Sequence, residues 1–177
     1  MLYQQSPITI TPLIMNNLLI FNFNSTKAWS GWEIQNDVVM GGNSFSKLER
    51  SKEGNAIFKG YVSLKNNGGF ASVHYKFAAK DISNYKKAYI KLKGDGKNYQ
   101  FRVKSNIEDK ASYIYIFKTT GDWQTVEIPL KEMIPTYRGR SLNIPNFSAN
   151  KIQEVRFLIG NKRAENFRLE MSKIALK

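Results

Sequence analysis

The chain has 177 residues, with 27 Lys plus Arg against 14 Asp plus Glu for a formal charge of +13, and 42% hydrophobic and 23% charged residues. That length holds one domain with a core of its own, and the composition excludes a disordered or fibrous chain. Cysteine is absent and His74 is the only histidine, so disulfides, thiolate nucleophiles and Cys-based metal sites are excluded, and a Ser-His-Asp triad has one candidate base.

In chain order, residues 1–17 read as an N-terminal arm or an extra strand, and 18–177 as a single β-sandwich domain. The apolar start does not read as a signal peptide: no Lys or Arg precedes Lys27, and Pro7, Pro12, Asn16 and Asn17 interrupt the run. Nor does it hold enough consecutive apolar residues to span a bilayer. The expected setting is cytoplasmic, either free or peripheral to the inner membrane.

Strands are predicted at Leu18–Phe23, Trp32–Val39, Ala56–Ser63 and Gly69–Phe77. Further strands follow at Ala88–Lys93, Asn98–Lys104, Ser112–Lys118, Trp123–Ile128, Ile152–Ile159 and Phe167–Met171. The alternation is clearest at 98–104, where Tyr99, Phe101 and Val103 oppose Gln100, Arg102 and Lys104. In 69–77, His74 shares its side with Ser72 and Lys76, away from the core. Turn residues separate the strands at Asn66–Gly69, Gly94–Gly96, Thr120–Asp122 and across Pro135–Asn150. Sustained helical spacing is absent, so a mainly antiparallel all-β sandwich is expected, with Trp29, Trp32 and Trp123 at least partly buried.

No hydrolase, nucleotide-loop or metalloprotease motif is present, and no catalytic residue, cofactor or metal is expected. Gly94-Asp95-Gly96 lacks the third glycine of a dinucleotide fingerprint, since Tyr99 occupies its place, and no helix follows; a strand-joining turn accounts for it. Segment 112–118 is apolar on both faces. Either Tyr113 and Tyr115 point outward, forming with Arg102, Lys104, His74 and Arg156 a cationic aromatic surface, or they pack against the second sheet. The charge draws anionic partners or simply solvates the surface.

Trp32 with Asn36-Asp37-Val38-Val39-Met40-Gly41-Gly42-Asn43-Ser44 is followed by Phe58-Lys59-Gly60 and Asn67-Gly68-Gly69-Phe70-Ala71-Ser72-Val73. Gly94-Asp95-Gly96, Trp123-Gln124 with Ile128-Pro129, and Tyr137-Arg138-Gly139-Arg140 come next, in that order. This series resembles the complex I intermediate-associated protein family from about Leu19 to Leu176, as a bacterial stand-alone member. The resemblance implies a galactose-binding-like jelly-roll sandwich. It also implies a non-catalytic, chaperone-like assembly factor whose partner is a protein client among membrane-complex subunits. The candidate binding residues are Asp37, Met40, Gly41, Gly42, Asn67, Gly68, Gly69, Phe70, Asp95, Arg138 and Arg140, beside Arg102, Tyr113 and Tyr115. The alternative on the same fold is a carbohydrate-binding module using the two tyrosines; nucleic acid is the less expected partner.

Overall fold

Residues 16–177 are described in the computed structural model, so the expected arm lies almost wholly outside the described residues. The first strands are β1 (Leu18–Asn22), β2 (Trp32–Ile34), β3 (Phe45–Arg50), β4 (Ala56–Val62) and β5 (Ala71–Asp81). They are followed by β6 (Lys87–Lys93), β7 (Asn98–Lys104), β8 (Ser112–Lys118) and β9 (Trp123–Pro129). The last are β10 (Ile134–Tyr137), β11 (Arg140–Ser141), β12 (Lys151–Ile159) and β13 (Glu165–Leu176).

All pairings are antiparallel, in two sheets. One runs β3-β4-β13-β6-β9, with β1 also on β13; the other runs β11-β10-β8-β7-β12-β5-β2. The period-2 pattern explains the layering, because alternate side chains of each strand meet between the sheets. From the second sheet come Val73, Tyr99, Phe101, Val155 and Phe157, all inaccessible to solvent; they meet Phe58, Ile90, Leu92, Leu169 and Met171 of the first. An aromatic group closes one flank: Trp32 stacks on Tyr75 at 5.3 Å and meets Phe23 at 5.0 Å, while Trp29 sits edge-on to Phe23. The architecture is the expected all-β jelly-roll sandwich.

Four local expectations are corrected. The strand predicted at Trp32–Val39 ends at Ile34, and Asp37–Met40 form a 3-10 turn. Phe45–Arg50 is a strand; as an edge strand it buries neither face fully, so its sequence carries no strong alternation. The stretch read as a long turn from Pro135 contains most of β10 and all of β11. Trp123 lies on the outer face of its sheet, 42% exposed, with the Lys91 ammonium 6.0 Å from its ring.

The registers define the two ends of the sandwich. Val62 pairs with Glu165, Ile159 with Ala71, Leu158 with Gln100, and Asn98 with Lys118. Consequently β5, β7 and β13 begin at the end where β4, β8 and β12 finish. The connections before β5 and before β7 therefore share one rim.

Candidate functional site

The Met-Gly-Gly and Asn-Gly-Gly-Phe segments meet over a single carboxylate. Asp37 is inaccessible to solvent. Its Oδ1 accepts the Ser44 N–H at 2.9 Å; its Oδ2 accepts the Ser44 hydroxyl, the Gly69 N–H at 2.6 Å and the Phe70 N–H at 3.3 Å. Burial alone would raise this carboxyl's pKa. The donated bonds from Ser44, Gly69 and Phe70 outweigh it and hold the group below the ordinary carboxylate value. Gly42 and Gly68 are glycines because a Cβ at either would collide with the Asp37 carboxyl group. Gly41 follows the 3-10 turn with φ of 89°, in the left-handed region.

This latch turns the preceding side chains outward. Val38, Val39 and Met40 are 59%, 67% and 63% exposed, and Leu64, beside Gly69, is 45% exposed. Of the expected residues here, Met40 and Asn67 face solvent, Gly68, Gly69 and Phe70 are half-buried, and Asp37 is buried as an internal fastener. Ser44, the second half of the latch, was missed by sequence reasoning. It closes the Asn36–Ser44 motif but is absent from the candidate binding residues.

Asp95 fastens the next turn at the same rim. Its carboxylate accepts the Arg168 N–H at 2.9 Å, the Lys97 ammonium at 3.0 Å and the Tyr99 hydroxyl at 3.1 Å. Arg138 and Arg140 are elsewhere: they flank Gly139 in the tight β10–β11 hairpin, where Tyr137 pairs with Arg140. Because Thr136 pairs with Ser112, at the start of β8, this hairpin occupies the opposite end. The four loops expected to act together are thus three loops at one rim and one at the other.

Of the two orientations open to Tyr113 and Tyr115 the inward one holds, so neither is the outward binding residue expected. Tyr113 pairs with Val103, and Tyr115 with Phe101. Directly opposed residues share a sheet face, and Val103 and Phe101 are core residues, so both tyrosines point inward. The outer face of the second sheet carries Ile114 and Ile116 instead. Across it runs a register row of Glu33, His74, Arg156, Arg102, Ile114 and Ile134, each opposite the next.

Arg156 organises the centre of that row. Its guanidinium donates to Gln35 Oε1 at 2.7 Å, Ser72 Oγ at 3.1 Å and Glu154 Oε1 at 3.2 Å. Glu154, 4% exposed, lies two residues earlier on the same strand face, a spacing that period-2 alternation already carries. Arg102 donates to the neutral Gln100 side chain at 3.0 Å. Burial, then the charge of Arg156, brings the Arg102 pKa down to about 10. His74 is 4% exposed. Its Nε2 lies 3.3 Å from a Glu33 carboxylate oxygen, yet neither ring nitrogen completes a hydrogen bond. Burial first, then Arg156, pushes its pKa below the ordinary value, with Glu154 opposing. Among the described residues no group of three or more His, Asp or Glu is gathered to hold a metal ion.

Residues 21–171 match the family described as Complex I intermediate-associated protein 30 (CIA30). The chain belongs to the CIA30 family. That interval contains the Asp37 latch, the Asp95 turn, the Arg138 hairpin and the whole cationic row. A search of curated proteins returned no match.

Among solved structures, this CIA30 chain is similar to the family 11 carbohydrate-binding module of the cellulosomal cellulase Lic26A-Cel5E of Clostridium thermocellum. The identity is 16% and the TM-score 0.69, covering 91% of this chain and 94% of that one. A family 29 carbohydrate-binding module matches at 11% identity and TM-score 0.56, over 92% and 91% of the two chains. An agarase matches at 13% identity and TM-score 0.64, covering 91% of this chain but 24% of the agarase. At such identities the likeness shows a shared jelly-roll fold. No helix among the described residues is long and apolar enough to cross a membrane.

Proposed function

We propose that this CIA30 member is a non-catalytic binding domain that holds protein intermediates in the assembly of respiratory complex I, engaging them through the rim around Asp37. The observation carrying this reading is the Val38-Val39-Met40 tip. Three consecutive apolar side chains stand in solvent on backbone fixed by a fully buried, four-times-bonded carboxylate. Such pre-ordered apolar side chains lose little entropy on docking, the property of an interface anchor. The formal charge of +13 would draw acidic clients toward the domain.

The alternative, a carbohydrate-binding module, draws on the fold it shares with the solved modules. It depended on Tyr113 and Tyr115 as stacking rings, and both point into the core. Affinity capture at moderate salt separates the two readings. Complex I subunits should co-purify with the native chain and be lost with Met40→Asp, while its unfolding curve stays unchanged. Retention of those subunits by Met40→Asp, or binding to neutral glycans in place of them, would reject the rim as the client site.

A further inference from the structure

We propose that the cationic outer face of the second sheet, with the Arg102 guanidinium as its free fork and Arg156 and His74 beside it, binds the carboxylates of an extended acidic segment of a partner protein. This deepens the protein-binding reading by assigning a second surface and its chemistry. It rests on that reading only for the class of partner.

The charge arrangement is the first ground. Arg156 and Arg102 face each other directly across β12 and β7, a like-charge pairing that weakens a sheet unless an anion answers it. Glu154 answers Arg156. On either side of Glu154 the register places Lys76 and Lys104, further cations on the same face. Arg102 bonds a neutral amide, and among the described residues its Nη atoms have no hydrogen-bond partner. A guanidinium fork of this kind matches a carboxylate with two parallel bonds.

His74 is the second ground. An imidazole taken out of water normally has a partner on at least one nitrogen, and here both are without one. The ring is sealed from solvent beside the Glu33 carboxylate, so an acidic side chain bound over Arg102 and Arg156 would act on it through its charge and favour the protonated ring.

The third ground is what continues the face. Ile116 and Ile134, on the strands beyond Arg102, are 57% and 41% exposed. No Trp, Tyr or Phe is among the outward residues of β7, β8 and β12 on this face. Aliphatic side chains next to cations complement a protein segment mixing acidic and aliphatic residues. A sugar acid finds no stacking ring there.

His74 is the chain's only histidine, so its Cε1–H proton gives an isolated NMR signal. The folded chain is titrated, at moderate salt, with a capped hexapeptide alternating valine and glutamate, and separately with its glutamine counterpart. The glutamate peptide should move the His74 signal saturably and raise its titration midpoint. Arg102→Gln should weaken that binding about tenfold without lowering the unfolding midpoint, since it removes the like-charge pairing with Arg156, and the glutamine peptide should be inert. Equal binding of both peptides, no movement of the His74 signal, or stronger binding of oligogalacturonate than of the glutamate peptide would overturn the proposal. Met40→Asp should leave this titration intact, so failure of the rim and failure of the row give different results.

Discussion

Asp37 and Gly69 are 32 residues apart in the chain, and the Gly69 N–H donates to Asp37 Oδ2 at 2.6 Å. This contact ties the loop entering β3 to the bend entering β5. Removing the carboxylate in Asp37→Ala would strand buried donors of Ser44, Gly69 and Phe70. A loss of about 3 kcal/mol is expected in denaturant unfolding. Because the folded pKa is depressed, the contribution is complete above the ordinary value of 3.8 and is lost as pH falls through the lowered one. Acid unfolding of the native chain should show this fall, and Asp37→Asn should not.

His74 has the opposite charge chemistry with the same direction in pH. Its folded pKa is depressed, by burial and then by Arg156, so below the ordinary value of 6.5 the unfolded chain takes up the proton more readily. Stability should therefore be full above that value and decline as pH falls toward the folded pKa. Midpoints measured across this window should be flatter in His74→Gln than in the native chain.

Trp123 and Phe157 separate surface from core aromatics. Phe157 is wholly buried, whereas Trp123 sits outside its sheet. Phe157→Ala should cost about 3–5 kcal/mol. Trp123→Ala should cost about 1 kcal/mol, mostly the lost packing on Lys91. Urea unfolding of both variants checks the order.

The Arg138 hairpin lies at the far end from the Asp37 rim. Replacing Arg138 and Arg140 together by alanine should leave rim-dependent capture unchanged and lower the thermal midpoint by about 1–4 °C at most. Only a contact of the Arg138–Tyr137 cation–π type, 5.3 Å from guanidinium to ring, is removed, and exposed pairs of this kind contribute about 0.5–1 kcal/mol.

The strands with one buried face were legible in sequence, as at Asn98–Lys104, because alternation is the imprint of burying one side. Val38 and Val39 read as strand by their β-branched side chains. They turn instead because Asp37 is bonded by donors at Gly69 and Phe70, which no local window contains. The orientation of Tyr113 and Tyr115 was not decidable within their own strand, apolar on both faces; pairing with Phe101 and Val103 decides it. The membership of Asp37 and Gly69 in one site followed from the ordered motifs. Its internal logic, a buried fastener displaying an apolar tip, needed the third dimension.

The strand β13 lies between β4 on one side and β6 on the other, and also holds β1. In order of synthesis it comes after every strand it joins. While the ribosome is still making the middle of the chain, β4 and β6 each carry a strand edge whose proper neighbour does not yet exist. Exposed edges of this kind invite pairing with other chains. A chain proposed to hold unfinished assemblies is thus itself, for most of its own synthesis, an unfinished sheet.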